Sequence, residues 1–425
     1  MSGLAKYLHD LGKNMGGSDV FANEYTDDLV KCGIKIDFGN EADRIEDYDV
    51  VVYTDAIKDE DFRLRKARSL SKPVISRGRF LYEVSRNFKK VIAVSGCHGK
   101  TTCCAMLTHI FAATEKKFAS HIGGKDAVFS NFYCCGHDFF ITEACEYKKN
   151  FLHLKPDVAV ILNSEADHIE CYGSEEALKS AYRYFAESTY QTILLYKDLP
   201  GISGLSFGFD KSADYFATKI KIDNEMCTFT VHERGAELGE ITLNVYGKHN
   251  ILNALAATAV ARYFDIPFGQ IRDGLNGFMG VERRFENLAV INGVLYFADY
   301  AHHPNELRAS LKTARKLTKG KLFLVFQPHT YSRTKLLFDE FVKVLSPLND
   351  LLIYKTFAAR EYFDDAGSAL TLSQNVKRAR YGDCPDDIRD FISKAGKGDT
   401  VLFLGAGDIY FIAKQICSEL KSSKK

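Results

Sequence analysis

The stretch from Val91 to Thr102 constrains this chain more than any other. A short apolar run, Val91-Ile92-Ala93-Val94, passes through Ser95 into Gly96-Cys97-His98-Gly99-Lys100-Thr101-Thr102. Such a run suits a strand covered on both faces, and the two glycines let the backbone turn sharply and approach a ligand. The residues after Gly99 then open a helix. Its free N–H groups and the positive end of its dipole point the same way, which favours phosphate. Lys100 adds a mobile positive charge for terminal phosphates, and the Thr101 hydroxyl suits a magnesium ion. The full P-loop pattern G-x-x-x-x-G-K-[ST] is not met, because Val94 stands where its first glycine belongs; the pattern present is G-x-x-G-K-T-T. An ordinary strand, turn and helix with a surface lysine is the alternative reading.

A chain of 425 residues has room for two to three domains. Its formal net charge of +1 supplies no global field toward nucleic acid or an anionic membrane, so any polyanion must be met locally. No apolar run approaches a membrane span, and Met1-Ser2-Gly3-Leu4-Ala5-Lys6-Tyr7 lacks the pattern of a signal peptide, so a cytoplasmic protein is expected. The 11 cysteines include the adjacent pairs Cys103-Cys104 and Cys134-Cys135 and show no C-x-x-C spacing. Neither a disulfide framework nor a zinc site follows from that pattern. Cys97, inside the turn, reads either as a reactive thiolate near Lys100 or as a tolerated small side chain.

The alternation of strands and helices predicts an α/β protein of three domains, each built on a mostly parallel sheet. Residues 1–87 read as a Rossmann-like domain with a helix from Ser2 to Leu11 and strands at Asp49–Tyr53 and Pro73–Ser76. A doubly wound domain ordinarily opens with a strand and a glycine-rich turn, and both are expected to be missing here, since Met1-Ser2-Gly3 already enters a helix. Residues 88–286 read as the central, P-loop-type domain, with strands at Phe139–Thr142, Val158–Leu162 and Thr192–Tyr196 and a helix at Ser174–Glu187. An antiparallel flap is expected from Asp214 to Val245, then a long helix from His249 to Phe264. Residues 287–425 repeat the rhythm with strands at Val294–Phe297, Leu322–Phe326, Leu351–Tyr354 and Val401–Leu404.

Each apolar strand ends in polar residues, and in open α/β sheets those ends meet at the edge where ligands bind. Magnesium bound with ATP needs few protein ligands, so Thr101, Glu143 and His168 would suffice, with Glu146 and Glu165 as competing carboxylates. His168 reads equally well as a capping or ion-pairing residue. Asn250, in Gly247-Lys248-His249-Asn250, suits either the edge of adenine or a plain helix cap. Arg283 and Arg284, at the joint between the last two domains, suit a phosphate or carboxylate, or an interdomain salt bridge. Asp299-Tyr300-Ala301-His302-His303-Pro304, Gln327-Pro328-His329-Thr330-Tyr331-Ser332-Arg333-Thr334 and Gly405-Ala406-Gly407-Asp408-Ile409 each follow a strand, which predicts a second binding edge.

Together these runs resemble the Mur ligases over nearly the whole chain. The loop from Gly96 to Thr102, the helix start at Gly247 and the Asp299 to His302 turn are similar to the family at large. His302-His303-Pro304, the run from Phe326 to Thr334, Arg283-Arg284-Phe285 after Gly280 and the stretch from Gly405 to Ile409 are similar to its alanine-adding branch. The resemblance implies an N-terminal UDP-sugar domain, a central ATPase domain and a C-terminal domain that closes over an amino acid. It implies that ATP phosphorylates the lactyl carboxylate of UDP-N-acetylmuramate and that L-alanine attacks the acyl phosphate, in peptidoglycan precursor synthesis. On that implication Lys100, His302 and Arg333 are the catalytic candidates. Gly96, Cys97, His98, Gly99, Lys100, Thr101 and Thr102, with His249, Asn250, Arg284 and Asp299, are the candidates for holding ATP. Thr101, Glu143 and His168 are the candidates for Mg2+. His302 is the first candidate to accept the amine's proton, and domain closure is expected to assemble the site. The family's carbamoylated lysine finds no match in Lys179 or Arg183. A homodimer is left open, as are a sister ligase adding a peptide or another amino acid and a nucleotide-binding relative without catalysis.

Overall fold

The apolar run before the glycine turn is the strand Lys90–Ser95, buried from Val91 onward. The protein, in a computed structural model, is described at every residue except 21, 40–43, 56, 58, 165–168, 196–197, 224–225, 360 and 423–425. The expected metal ligand His168, with Glu165, therefore lies outside the described residues. By its contacts the chain divides into two units, Met1–Gly280 and Val281–Lys425.

In the first unit Lys90–Ser95 runs parallel between Phe139–Glu143 and Val158–Ile161. Among the described residues these belong to a ten-stranded sheet ordered Ala236–Leu243, Met226–Glu233, Tyr215–Asp223, Leu205–Gly208, Gln191–Leu195, Val158–Ile161, Lys90–Ser95, Phe139–Glu143, Phe118–Asp126 and Ser130–Cys134. The segment read as an antiparallel flap is a continuation of this sheet, because Phe207 and Gly208 pair in parallel with Tyr215 and Phe216 before the chain turns back. Side chains alternate across a strand. Val91 and Ala93 thus enter one core with Tyr182 and Phe185 of the amphipathic helix Glu175–Glu187. Ile92 and Val94 face the other side, where the helices Lys100–Ala112 and Lys248–Tyr263 are buried along most of their length.

The first 85 residues pair more sparingly. Gly16–Asp19 lies parallel to Lys35–Phe38, and Val51–Tyr53 parallel to Val74–Ser76, as two separate two-stranded ladders. The helix Ser2–Asp10 packs on the large sheet through Tyr7, whose ring lies 5.1 Å from that of Phe132 and 6.0 Å from that of Phe88.

The second unit holds a six-stranded sheet, among the described residues, ordered Glu286–Ile291, Val294–Asp299, Thr400–Leu404, Leu322–Phe326, Asp350–Tyr354 and Ala379–Gly382. It is parallel except for its first pair, a hairpin closed by Asn292 and Gly293, both at positive φ (55° and 76°). That is the Asn-Gly turn whose twist matches antiparallel strands. Arg283, Arg284 and Phe285, expected at the joint, pack with this unit. The Phe285 ring stacks 4.9 Å from that of Phe297, and the Tyr300 N–H donates to the Arg283 carbonyl over 2.7 Å.

The helix bearing the phosphate turn is gripped from behind by Phe268–Asn276, where a Cβ added to Gly274 would stand 2.6 Å from the Ile110 Cα. Gly274→Ala is expected to destabilise the protein by about 1–3 kcal/mol through overpacking, despite alanine's better helix propensity. Urea unfolding checks this, and an unchanged midpoint would mean that the two helices separate freely.

Candidate active site

The glycine turn is shaped by close approach. Gly96 sits at φ 128° and Gly99 at φ 89°, where side-chain-bearing residues are strained. A Cβ on Gly99 would lie 2.5 Å from Asn253 Oδ1, and one on Gly96 3.1 Å from the Asn163 backbone. Asn163 holds the turn from the next strand end. Its Oδ1 accepts the His98 N–H at 3.0 Å, and its Nδ2 donates to the His98 carbonyl at 3.0 Å. No side chain caps the helix that begins at Lys100, and its first turn carries no acid. Its N-terminal donors are thus arranged as in an anion site.

Lys100 does not extend away from the turn. Its Nζ donates to Glu146 Oε1 at 2.9 Å, to the Gly96 carbonyl at 2.5 Å and to the Cys97 carbonyl at 3.4 Å. The Glu146 side chain is 1% exposed and that of Lys100 15%, so this ion pair is an interior one. Burial works against the ammonium charge, but the Glu146 carboxylate outweighs it and holds the Lys100 pKa above its ordinary value. The Tyr172 hydroxyl donates to the Glu146 carbonyl at 2.6 Å, and burial followed by the Glu146 charge lifts its own pKa. Glu146, named in the sequence only as a competitor for metal, is in this structure the partner of the lysine.

Of the other nucleotide candidates, Thr101 and Thr102 are buried in the first helical turn. Cys97 is 7% exposed, with Sγ 3.8 Å from the Tyr182 hydroxyl, so the small-side-chain reading fits it. Asn250 is occupied locally: Nδ2 donates to the Tyr246 carbonyl at 2.6 Å, and Oδ1 accepts from Asn253 Nδ2 at 3.0 Å. Its amide therefore stiffens the helix start, while the N-cap is Gly247 at φ 96°. The imidazole of His249 folds over Gly247, where a Cβ would meet its Cε1 at 2.4 Å. Glu143 ends its strand in register with Val94, beside the entry to the turn, and its Oε1 accepts the Gly123 N–H at 2.7 Å. A hydroxyl and a carboxylate at neighbouring ends of one parallel sheet are hard oxygen donors of the kind magnesium takes.

In the second unit the expected edge is present. Asp299, Leu404 and Phe326 are in register, so the turns that follow their strands leave from one side of the sheet. His303 caps the helix Pro304–Leu317, and Glu306 Oε2 accepts the His302 N–H at 2.9 Å and the His303 N–H at 3.2 Å. The capping box fixes the His302 ring. Its Nδ1 lies 2.9 Å from the Tyr300 carbonyl, which suits a tautomer with the proton on Nδ1 and a lone pair on Nε2. The His302 and His329 rings are 5.6 Å apart, and Arg333 Nη1 donates to His329 Nδ1 at 3.1 Å. Burial, then the neighbouring His302 and Arg333, pushes the His329 pKa down to about 3, so its imidazole is neutral. The sequence quoted His329 as part of a run and gave it no role; here it joins His302 to Arg333.

Asp299 accepts a hydrogen bond from the Ser310 hydroxyl. Burial lifts its pKa, against the pull of Ser310 and the Arg284 charge. Arg284 lies over the Tyr300 ring at 5.2 Å, whereas Arg283 is wedged over Tyr410 and Phe411 at 4.6 and 4.5 Å. Gln327 Nε2 donates to Asp408 Oδ1 at 2.6 Å and its Oε1 accepts the Ile409 N–H at 3.1 Å, tying the turn after Phe326 to the one after Leu404. A Cβ on Gly407 would lie 2.4 Å from Gln327 Oε1, which explains a glycine there.

Comparison with known proteins covers the chain almost end to end. Family models match it at residues 1–89 (Mur ligase family, catalytic domain), 94–261 (Mur ligase middle domain) and 283–407 (Mur ligase, glutamate ligase domain). It is 36% identical over 434 residues to a UDP-N-acetylmuramate--L-alanine ligase of Clostridium beijerinckii, covering 98% of this chain and 94% of that one. It is 36% identical over 441 residues to the corresponding ligase of Acetivibrio thermocellus, covering 99% and 93%. The crystal structure of UDP-N-acetylmuramate-alanine ligase from Thermotoga maritima superposes with a TM-score of 0.86 at 26% identity, covering 100% of this chain and 97% of that one. The chain belongs to the Mur ligase family.

Proposed function

We propose that this protein is an ATP-dependent ligase that joins L-alanine to the lactyl carboxylate of UDP-N-acetylmuramate through an acyl phosphate. The observation that carries the reading is the glycine turn with Lys100 held on buried Glu146. Phosphoryl transfer asks the protein chiefly for positioning and charge neutralisation. The turn's helix N-terminus receives ATP phosphates, and Lys100 exchanges the Glu146 carboxylate for the phosphate being transferred. Magnesium, when bound with ATP, supplies further charge neutralisation; Thr101 and Glu143 are the described residues that would hold it, and His168 remains the third candidate. The carboxylate oxygen of the sugar nucleotide forms the new bond to phosphorus as ADP leaves. The L-alanine amine, neutral as it attacks, forms the amide as inorganic phosphate leaves. In the second unit His302 Nε2 carries the lone pair that would take a proton in the tautomer described, and Arg333, fixed by neutral His329, offers a guanidinium to an anion. Cytoplasmic work belongs to this reading, and no helix among the described residues is long and apolar enough to cross a membrane.

The deciding assay measures phosphate release with ATP and UDP-N-acetylmuramate while the amino acid is varied. Release that depends on L-alanine is expected. Release with a preformed peptide alone would make the protein a sister ligase, and ATP binding without any amide product would make it a non-catalytic relative.

Lys100→Ala is expected to lower turnover by at least about 100-fold, the scale seen when one charge-stabilising donor is lost. Because it leaves Glu146 buried without its cation, it should also destabilise the fold by about 3–5 kcal/mol. The double variant Lys100→Met/Glu146→Gln should recover most of the stability and none of the turnover. A stable and active double variant would contradict the phosphate role of the lysine.

His329 gives a pH test. Its folded pKa, about 3, lies below the ordinary 6.5. Between those values the unfolded chain binds the proton and the folded one does not, so stability falls as pH drops through that window. His329→Gln removes this proton uptake. The slope of unfolding free energy against pH between about 6 and 5 should become shallower, by up to about 1.4 kcal/mol per pH unit. An unchanged slope in urea titrations would mean that His329 is not held neutral.

A further inference from the structure

Arg77 begins the helix Arg77–Ser85, directly after the strand Val74–Ser76. Its half-buried guanidinium stands apart from the other cations near the phosphate turn. Among the described residues its buried Nε donates to nothing, and no carboxylate forms an ion pair with it. Arginine cannot escape burial by losing its proton. A partly buried guanidinium without an anion is therefore costly unless an anion comes to it.

The surroundings narrow the choice of anion. Arg77 lines a small cleft with Gly78, Glu143, Cys145 and Asn150. Glu143 is the residue in register with Val94, so the cleft lies beside the strand end that leads into the glycine turn. The helix carrying Arg77 is held firmly against the loop that carries Glu146. A Cβ on Gly78 would lie 2.1 Å from Asn150 Oδ1, and Asn150 Nδ2 donates to Asp55 Oδ2 at 2.7 Å and to the Tyr147 carbonyl at 2.9 Å. The helix's first turn has no acid. Apart from Glu143 in the cleft wall and Glu146, which is paired with Lys100, the neighbouring titratable groups supply no negative charge. Burial, then the Glu146 charge, pushes the Cys145 thiol up to about 11, and burial, then the Arg77 charge, keeps His121 neutral with its Nδ1 3.3 Å from Thr142 Oγ1.

We propose that Arg77 binds the lactyl carboxylate of the sugar-nucleotide substrate and presents it to the phosphate turn; this rests on the ligase reading above. A guanidinium fork takes a carboxylate through two parallel hydrogen bonds and so fixes direction as well as charge. Direction matters here, because the carboxylate oxygen must stand in line with the bond that breaks. Two other anions belong to the same reaction, the diphosphate of the sugar nucleotide and the terminal phosphate of ATP.

The test uses the full chain with Arg77→Gln and Arg77→Lys. Steady-state kinetics are combined with direct binding of UDP-N-acetylmuramate, of UDP-N-acetylglucosamine, which lacks the lactyl carboxylate, and of ATP. Arg77→Gln should raise the KM for UDP-N-acetylmuramate by about 10–100-fold, the worth of a lost charged hydrogen bond. The KM for ATP should stay within about twofold, binding of UDP-N-acetylglucosamine should be unaffected, and Arg77→Lys should recover part of the loss. An unchanged KM for UDP-N-acetylmuramate overturns the proposal. Equal weakening of both sugar nucleotides moves Arg77 to the diphosphate, and a loss confined to ATP moves it to the nucleotide; either result overturns it as well. Thermal unfolding confirms that the variants fold, and if Arg77→Gln does not, the Arg77→Lys kinetics decide. A wild-type protein that neither binds nor turns over UDP-N-acetylmuramate overturns the ligase reading first, a result visible before any variant is made.

Discussion

A lysine and a glutamate are buried together where the chain leaves its central strand, and the first unit's site depends on that pair. Taking two charges out of water is unfavourable unless geometry and hydrogen bonding are nearly complete. Lys100 meets the condition by spending its donors on Glu146 and on the carbonyls of Gly96 and Cys97. The same bonds fold the turn back on itself, so its shape exists before any phosphate arrives. Asn163 completes the arrangement by bridging both sides of the His98 peptide from the next strand. Charge and backbone are thus fixed by neighbours on one sheet, which is the condition under which a preorganised donor is worth most.

The second unit meets the opposite requirement. Its strand-end turns gather histidines, an arginine and an aspartate, yet His329 is kept neutral and the Asp299 pKa is lifted. A neutral imidazole can accept the Arg333 N–H, whereas a protonated one would repel it. Tyr300 and Glu306 do for His302 what His329 does for Arg333: they settle orientation and tautomer through backbone and capping bonds. Such bonds depend on the strand-turn-helix path more than on any one contact, so three turns leaving one edge are enough to build the cluster.

Most of this architecture could be read from the sequence because it is written in local patterns. Apolar runs marked most parallel strands of both large sheets, though not Phe118–Asp126, Leu205–Gly208 or Ala379–Gly382, and the glycine spacing marked the turn. The polar residues after each strand marked the edges. What escaped was non-local or weakly patterned. Gly16–Asp19 and Lys35–Phe38 carry few apolar residues and pair only with each other, so no period announces them. The run from Asp214 to Val245 was correctly antiparallel, but its attachment to the large sheet rests on Phe207 and Gly208, which nothing in the flap itself predicts. Asn292-Gly293 was a legible hairpin signal that the α/β rhythm obscured. In the site, Asn250 had the chemistry of a base reader, but a side chain four residues from a helix-start carbonyl has a nearer partner in Tyr246. Glu146 was noticed for its charge. Only the fold could show that the charge belongs to Lys100.

Two cations of the first unit make a final distinction. Lys100 has a carboxylate partner and Arg77 has none among the described residues, although both lie close to where Glu143 and the turn meet. A partnered lysine can trade one anion for another at modest net change in energy, which suits a group that must release its ligand in every cycle. An unpartnered arginine gains the whole interaction when an anion arrives, which suits a group that must select a substrate and hold its direction. The difference follows from the side chains themselves. The ammonium is a flexible point charge that is easily redirected, whereas the guanidinium is a rigid fork whose use lies in the one geometry it matches.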